Sequence, residues 1–244
     1  MKFCVSLTTI PSRINNIKPT IESIAKQSVK PNKIYLNLPN KFKRFKDEFF
    51  KEEEIMSINY ENLEIVRCND FGPGTKIMGS LNKIKNDYDF VVLIDDDHEY
   101  HPRFLEIFLN NFKKNSINYS YYLNKVFDIR MGQCADGFLF NCTFLDKIEK
   151  FYTNFVNDNK NLFHDDDLWI ALYLYFVKKT RIVNLIQDFQ NITKEQIVYK
   201  PTKNQSIDAL HKTIHKDKLF INRRKIQKIE YIKYFFLNRF IHSF

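Results

Sequence analysis

Two runs of three aspartates are the residues of this sequence whose type and spacing best suit chemistry. The first acidic cluster (Asp95, Asp96 and Asp97) directly follows the apolar run at residues 90–94. The second acidic cluster (Asp165, Asp166 and Asp167) precedes a long apolar stretch. Adjacent carboxylates repel one another unless a cation lies between them. Each cluster therefore predicts a cation-binding site or a group of acids with shifted pKa values.

The first acidic cluster has the setting of a metal site. Residues 90–94 are apolar and rich in β-branched side chains, as in a strand buried on both faces, and parallel strands present ligand sites at their carboxyl ends. Alternation places Asp95 and Asp97 on one side and Asp96 on the other. Mg²⁺ and Mn²⁺ prefer oxygen ligands, so we predict that a divalent ion holding a phosphate binds here. A solvated acidic turn is the alternative interpretation.

The second acidic cluster lies at the amino end of a predicted helix. Apolar residues recur at helical spacing from Leu168 onward, and two lysines end the stretch. Acids in the first turn and lysines in the last complement the helix dipole, which is a purely structural explanation. One capping aspartate would be enough for that. Three aspartates in a row, preceded by His164, are more than a cap requires.

A glycine-bearing loop is the third feature that suits a ligand. Gly72, Pro73 and Gly74 force a turn, and Thr75 can cap a helix that we predict to continue to residue 85. Such a loop at a helix amino terminus, with Lys76 on the first turn, suits a phosphate group. An ordinary loop between strand and helix with a surface lysine explains the pattern equally well. The P-loop pattern is absent.

A mostly parallel sheet is predicted to position these residues. Residues 2–7 and 33–38 read as strands joined by a helix with isoleucines on one face, which is a βαβ unit. Further strands are predicted at residues 63–67, 90–94 and 181–186, and a solvated helix is predicted at residues 41–54. We therefore predict an α/β fold in which residues 1–217 form one Rossmann-like sandwich, with helices on both faces. Residues 218–244 are predicted to form a basic amphipathic helix or tail.

Composition limits the class of protein. The 244 residues are 44% hydrophobic and 16% aromatic, which is typical of a globular chain. The net charge of +9 permits phosphorylated ligands, nucleic acid or anionic membrane as partners. The four cysteines show neither disulfide nor zinc spacing, so we predict free thiols in a reducing compartment. Without a signal-peptide pattern, we expect a cytoplasmic protein or one peripheral to a membrane.

The final stretch alternates basic residues with an apolar face. Ile226, Ile229, Ile232, Phe236 and Phe240 share one side of a predicted helix. Such a helix can lie in a membrane interface beside anionic lipid. Ordinary packing of a terminal helix on the domain explains the same pattern, and we favour packing.

The segments VSLTTIPSR, DFGPGTKI, VVLIDDD, ADGFLF and HDDDLWIALYL together resemble the GT-A glycosyltransferases, particularly small family-2-like enzymes of bacteria and large DNA viruses. The similarity covers about residues 2–186. It implies a metal-dependent, inverting transfer of a sugar from a nucleotide-diphosphate-sugar, expected to be UDP-linked, to a glycan or lipid-linked acceptor. It also implies Mn²⁺ or Mg²⁺ at the D-x-D element of the first acidic cluster, and we expect no nucleic-acid partner.

The resemblance also implies roles for individual residues. Asp97 and Asp95 would hold the metal, with Asp95 near the ribose, and the second acidic cluster would supply the catalytic base. The residues expected to bind the nucleotide-sugar are Thr8, Thr9, Arg13, Asp70, Lys76, Asp95, Asp96, Asp136 and Gly137. The family commonly shows Glu-Asp where this chain shows His164-Asp165 or Asp165-Asp166, so the identity of the base stays open.

Three other functions use some of the same features. A nucleotidyltransferase has a similar fold and acidic pair but usually a richer glycine loop near the amino terminus. A phosphohydrolase with an aspartate nucleophile would need a hydroxyl residue soon after Asp97, where this chain has His98, Glu99 and Tyr100. A nucleic-acid-binding module would explain the basic tail but would leave both acidic clusters without a role.

Overall fold

A mixed sheet of seven strands forms the centre of the protein. The computed structural model describes residues 1–45, 47–111, 117–185, 200–207 and 222–240. The strands of this sheet are β1 (Phe3–Thr8), β2 (Lys33–Pro39), β3 (Leu63–Cys68), β4 (Phe90–Leu93), β6 (Asn118–Ser120), β9 (Phe138–Asn141) and β10 (Ile182–Asn184). Two smaller antiparallel pairs join β5 (His98–Glu99) to β11 (Lys200–Pro201) and β7 (Leu123–Val126) to β8 (Ile129–Gly132).

The order of the strands brings the ends of β1 and β4 together. The sheet runs β10-β6-β9-β4-β1-β2-β3, and all neighbours are parallel except β9, which is antiparallel to both β4 and β6. Ser6 of β1 pairs with Leu93 of β4, so the loops that follow these strands leave the same edge side by side. In parallel sheets that edge is where ligands bind.

Helices cover both faces of the sheet. They are α1 (Lys18–Ala25), α2 (Glu52–Met56), α3 (Thr75–Met78), α4 (Leu81–Asp87), α5 (Phe104–Asn111), α6 (Ile148–Phe151), α7 (Lys160–Phe163), α8 (Asp166–Leu172) and α9 (Arg223–Phe240). Short π-helical turns, Tyr152–Val156 and Tyr173–Val177, extend α6 and α8. Side chains alternate along β4, so Val91 and Leu93 enter one apolar core with α8 while Val92 enters the other with α1 and α5. The predicted α/β sandwich is confirmed.

Several predicted elements differ in length from those observed. The predicted helix at residues 75–85 is interrupted between Met78 and Leu81, because Ser80 leaves the helical conformation, with a φ of −116° and a ψ of 21°. The predicted helix at residues 41–54 is wrong except at residues 52–54, which belong to α2. Aromatic side chains such as Phe42 and Phe50 pack the preceding segment into the core instead. The predicted strand at 181–186 is observed as β10, and residue 186 lies outside the described residues.

The terminal helix packs on the domain, but through a face that its apolar pattern does not predict. Tyr231 and Tyr234 are buried, whereas Ile229, Ile232 and Phe236 are exposed. The tyrosine face can bury its rings and still satisfy its hydroxyls, and Tyr231 Oη donates a hydrogen bond to Asp128. Residues 218–221, where the predicted tail begins, lie outside the described residues. Within the part of the chain that the structure describes, none of the helices has the length and hydropathy needed to cross a bilayer.

Candidate active site

The loop after β1 holds the central residue of the first acidic cluster. Asp96 is 1% exposed, and its carboxylate accepts hydrogen bonds from Thr9 Oγ1 and lies 2.8 Å from the Arg13 guanidinium. The Asp96 carbonyl accepts from Thr20 Oγ1 at 3.1 Å and from Asn204 Nδ2 at 3.0 Å. Burial raises the pKa of Asp96 to about 6, although Arg13 and Thr9 oppose that shift. Asp96 therefore anchors the acidic turn to the β1 loop.

Lys76 connects the two acidic clusters. Its ammonium forms an ion pair with Asp95 and lies 2.9 Å from Asp166 Oδ2, and the lysine side chain is 3% exposed. Burial tends to lower the pKa of Lys76, but Asp166 and Asp95 outweigh it and the pKa is raised. Burial likewise tends to raise the pKa of Asp95, whereas Lys76 lowers it below the usual range. One buried cation thus holds two carboxylates from different parts of the chain close together.

A short turn of the loop before α3 delivers Lys76 to this position. Gly72 has a φ of +61°, and a Cβ atom there would lie 2.2 Å from the Phe163 carbonyl oxygen, so a side chain cannot be accommodated. Asp70 closes the turn by accepting hydrogen bonds from the backbone N–H groups of Lys43 at 2.7 Å and Gly72 at 2.8 Å. Glycine is therefore required at position 72 because the backbone packs closely against Phe163.

The third residue of the first acidic cluster faces a histidine. Asp97 Oδ1 lies 2.6 Å from His98 Nδ1. Burial lowers the pKa of His98, but Asp97 and the other nearby carboxylates outweigh that effect and the pKa is raised. The Asp97 carbonyl accepts a hydrogen bond from Thr202 N–H at 2.9 Å, so the segment at residues 200–207 covers the acidic turn from outside.

The second acidic cluster forms the amino end of α8, and its three members have different surroundings. Asp165 is the helix N-cap and accepts from Leu168 N–H at 3.2 Å. It also accepts from Arg223 Nε at 3.0 Å, Arg223 Nη2 at 2.8 Å and Gln227 Nε2 at 2.8 Å. Both oxygens of Asp165 are therefore occupied by structural hydrogen bonds.

Asp167 is the member of this cluster with a strongly shifted acidity. Its Oδ1 accepts from Cys134 N–H at 3.1 Å, and its Oδ2 accepts from Arg223 Nη2 at 3.2 Å. Burial and the neighbouring Asp166 and Asp165 raise the pKa of Asp167 to about 7, while Arg223 and Lys76 oppose the rise. A carboxyl group with that pKa can accept a proton near neutral pH.

Residues of both acidic clusters line one cavity of about 430 Å³. Cationic, acidic and aromatic side chains line it, so it can hold a charged, ring-containing ligand. The lining residues are Thr8, Thr9, Ile10, Arg13, Pro39, Phe42, Arg44, Phe45, Asp70, Gly72, Pro73, Lys76, Asp95, Asp96, Asp97, His98, Gln133, Ala135, Phe163, His164, Asp166, Asp167, Gln205 and Arg223.

Most residues that the sequence indicates for the site line this cavity, and three do not. Asp165 is turned towards α9. Asp136 is buried, and Gly137 packs against Phe104 with a φ of +92°. Their predicted contacts with substrate stay predictions. Thr8 lines the cavity, although its hydroxyl donates to the Asn37 carbonyl at 2.8 Å.

Arg223 is the most important residue of the cavity that the sequence pattern misses. It lies 58 residues beyond Asp165, in a stretch where basic residues are frequent, and only its place at the start of α9 brings it to the cavity. Phe42, Phe45 and Phe163 were also missed, because isolated phenylalanines in an aromatic-rich sequence carry no motif.

Two groups of side chains are candidates for binding a metal ion. The ligand atoms of Cys134, Asp166 and Asp167 lie within 4.8 Å of one another. Burial raises the pKa of the Cys134 thiol, and a protonated thiol is a poor metal ligand. The carboxylates of Asp95 and Asp97 line the cavity and offer the all-oxygen donors that Mg²⁺ and Mn²⁺ prefer. The chemistry of the donor atoms therefore favours the first acidic cluster.

Comparison with known proteins by sequence finds no matching family model and no matching curated protein. By structure, the chain is similar to TarS of S. aureus, with a TM-score of 0.52 and 16% identity over 75% of this chain and 35% of TarS. It is also similar to 4-diphosphocytidyl-2C-methyl-D-erythritolsynthase of Anaerococcus prevotii, with a TM-score of 0.50 and 13% identity over 80% of this chain and 94% of that protein.

A TarS fragment, residues 1–349, has been solved in complex with UDP-GlcNAc, and the galactosyltransferase LgtC with donor and acceptor sugar analogues. LgtC matches with a TM-score of 0.49 and 12% identity over 70% of each chain. The chain spans 56% of that TarS fragment and 35% of the longer TarS chain. At such low identities these similarities concern the fold alone. TarS is a GT-A glycosyltransferase, and the chain described here shares its Rossmann-like GT-A fold.

Proposed function

We propose that this chain is a glycosyltransferase that moves a sugar from a nucleotide-diphosphate-sugar to a hydroxyl of a glycan or lipid-linked acceptor. The observation that carries the proposal is the position of Lys76, which is buried between Asp95 of one acidic cluster and Asp166 of the other. The first acidic cluster, which we propose to bind the donor, and Asp167, the neighbour of Asp166 that we propose as the base, therefore line the same cavity. Two-substrate transfer requires that arrangement, because the hydroxyl must reach the donor while it loses its proton.

The donor half of the proposed site is the edge of β1 and β4. Arg13 and Lys76 supply positive charge there, and the fold is one that holds nucleotides at this edge. We propose a UDP-linked donor, since TarS, which shares the fold, forms complexes with UDP and UDP-GlcNAc. The cavity phenylalanines suit the apolar faces of the nucleobase and the sugar.

Asp95 and Asp97 would hold a divalent Mg²⁺ or Mn²⁺ ion in this site. Such an ion acts as a Lewis acid that stabilises the charge of a nucleoside diphosphate leaving group. The Asp97→Ala variant should lose Mn²⁺-dependent UDP affinity in calorimetry, because one of two carboxylate ligands is gone. An Asp87→Ala variant, which removes an acid distant from the cavity, is the matched control. Unchanged Mn²⁺-dependent affinity in Asp97→Ala would remove Asp97 from the proposal.

Asp167 is the proposed general base. It lines the cavity with a pKa of about 7, whereas Asp165 is held by α9 and Asp166 is paired with Lys76. The acceptor oxygen bonds to the anomeric carbon, its proton passes to Asp167, and the bond to the diphosphate breaks. This single displacement inverts the anomeric configuration. NMR of the product tests that point, and a retained configuration would contradict it.

A nucleotidyltransferase acting on a sugar phosphate is the second candidate. The observation in its favour is the similarity of the fold to that of 4-diphosphocytidyl-2C-methyl-D-erythritolsynthase over nearly all of that protein. The two functions release different products. Glycosyl transfer releases a nucleoside diphosphate, and nucleotidyl transfer from a nucleoside triphosphate releases pyrophosphate.

A product assay tests the proposal directly. The protein is incubated with a panel of nucleotide-sugars, or with nucleoside triphosphates and sugar phosphates, in the presence of Mn²⁺. We expect nucleoside diphosphate from one of the nucleotide-sugars and a decrease of roughly 10²-fold or more in Asp167→Asn, the usual scale for loss of a general base. Pyrophosphate release without diphosphate release would favour the second candidate.

A peripheral contact of α9 with an anionic membrane is part of the proposal. The helix packs through its tyrosine face and exposes Ile229, Ile232 and Phe236 at 40%, 44% and 53%, with the exposed Lys225 and Lys228 beside them. An apolar stripe bordered by lysines is complementary to an anionic lipid surface, where each basic residue contributes about 1 kcal/mol.

Co-sedimentation with liposomes tests this contact. The full chain should bind vesicles of phosphatidylserine and phosphatidylcholine at low salt and should bind neutral vesicles less. Phe236→Glu should weaken that binding, whereas Phe49→Glu, at an exposed phenylalanine outside α9, should not. Equal effects of the two substitutions, or no binding by the wild type, would contradict the proposed contact.

A further inference from the structure

Arg223 connects the terminal helix to the second acidic cluster. Its guanidinium makes a two-pronged contact with Asp165, through Nε to Oδ2 at 3.0 Å and Nη2 to Oδ1 at 2.8 Å. The same Nη2 donates to Asp167 Oδ2 at 3.2 Å. A forked, charge-assisted contact of this kind fixes geometry as well as charge. Arg223 also lines the cavity, so it lies where the reaction would take place.

A row of buried polar contacts holds α9 in the register that Arg223 needs. One turn beyond Arg223, Gln227 donates to Asp165 at 2.8 Å. One turn further, Glu230 is 2% exposed and accepts from Asn159 at 2.8 Å and Asn161 at 2.7 Å. A shift of α9 by one turn would leave these buried groups without partners, which is costly. These contacts therefore fix the position of Arg223, the first residue of α9, relative to the second acidic cluster.

We propose that Arg223 is a positioning residue of the active site, which clamps Asp165 and orients the Asp167 carboxylate towards the acceptor hydroxyl. This inference rests on the proposed function. The orientation of Asp167 has two determinants on opposite oxygens, the backbone N–H of Cys134 and the guanidinium of Arg223. Removing the second leaves the carboxylate held by the Cys134 N–H at one oxygen, with a less defined orientation. A reacting group misplaced by about 1 Å can lose roughly 10²-fold in rate.

Arg223 also sets the charge balance around Asp167. The groups that act on Asp167 are Asp165 and Asp166 on α8, Lys76 on α3 and Arg223 on α9, and the buried Cys134 thiol adjoins them. The two anions raise the pKa of Asp167, and the two cations lower it. Loss of the guanidinium leaves Lys76 as the only cation of this group, so the pKa of Asp167 should rise.

The test compares three substitutions in the full chain. In Arg223→Gln, kcat for sugar transfer should fall about 10- to 100-fold with less than about a twofold change in the KM of the donor. The acid limb of the pH–rate profile should move to higher pH, because the cation that opposes protonation is gone. Arg223→Lys should keep the limb near its wild-type position but recover kcat only in part. Arg224→Gln, at the exposed neighbouring residue, should behave as wild type.

The pH readout separates positioning from mere support of the fold. An arginine that only stabilised α9 would, on removal, lower the melting temperature without moving the acid limb, and that result would overturn the inference. So would a wild-type kcat in Arg223→Gln. If Arg223→Gln does not fold, Arg223→Lys keeps the charge without the fork, and a wild-type kcat in that variant would overturn the inference.

A measurement without substrate distinguishes this inference from the proposed function. Carbon-13 NMR of the carboxyl groups, assigned with Asp167→Asn, reports the pKa of Asp167 directly. A higher pKa in Arg223→Gln than in wild type supports the coupling even if no nucleotide-sugar is turned over. An unchanged pKa refutes the coupling even if the protein proves to be an active glycosyltransferase.

Discussion

Replacing Lys76 by methionine should destabilise the protein strongly. The ammonium is buried beside two carboxylates, Asp166 with a side chain that is 10% exposed and Asp95 with one that is 35% exposed. Removing one partner of a buried ion pair costs about 3–5 kcal/mol, because the charge left behind has lost both water and its counterion. The more exposed Asp95 adds little, so we expect about 3–5 kcal/mol in all. That corresponds to a decrease in melting temperature of roughly 6–20 °C for a domain of this size.

Urea unfolding at two pH values measures this loss and its origin. The pKa of Lys76 is raised above 10.5, so its contribution is complete below that pH and is lost only as the pH rises through the higher folded value. At pH 7 the full difference between wild type and Lys76→Met should therefore appear. In the variant, Asp95 loses the cation that lowers its pKa and takes up a proton more readily, so the difference should shrink as the pH falls towards the carboxyl range, about 4.

A matched control and a second substitution make the result decisive. Lys83→Met removes an exposed ion pair with Glu64 and should cost no more than about 1 kcal/mol. Asp166→Asn combined with Lys76→Met should recover part of the lost stability, because one uncompensated charge is gone. If Lys76→Met unfolds at the same urea concentration as Lys83→Met, the buried ion pair is not the link between the two clusters and the reasoning fails.

Two further predictions concern acidity and backbone geometry. Turnover should rise with pH through about 7 as Asp167 loses its proton, and a rate that is flat from pH 6 to pH 8 would argue against Asp167 as the base. Gly137→Ala should lower the free energy of unfolding by at least about 2 kcal/mol, because φ is +92° there and the new Cβ would lie 2.4 Å from the Phe104 ring. Urea unfolding measures it, with Ala135→Gly as the control, and equal stability of the two variants would contradict the close approach.

Local patterns in the sequence predict the frame of the site. The strand that ends before Asp95 and the helix that begins at the second acidic cluster are both encoded by short-range periodicity and composition. These two inferences need only residues close in the chain. Arg13, by contrast, was indicated only by the family resemblance, and the fold places it 2.8 Å from Asp96.

The sequence could not predict that the three aspartates of the second acidic cluster have different surroundings and different roles. Adjacent acids look alike in a sequence, and their difference comes from partners that the fold brings from elsewhere. Asp165 accepts hydrogen bonds from Arg223, and Asp166 forms an ion pair with Lys76. Asp167 accepts a hydrogen bond from the backbone N–H of Cys134. The packed face of α9 was likewise hidden, since burying Tyr231 depends on the distant Asp128 to satisfy its hydroxyl.

The sequence by itself determined the α/β frame, the strand that presents the first acidic cluster and the helix that begins at the second. Those features follow from the repeat of apolar residues along a strand or helix, which is a local property. Tertiary structure alone decided which charges compensate one another, which aspartate of the second cluster is turned away from the cavity and which face of α9 is buried. The physical reason is that ion pairing and desolvation act through space over a few ångströms, between residues such as Asp165 and Arg223 that are 58 positions apart in the chain.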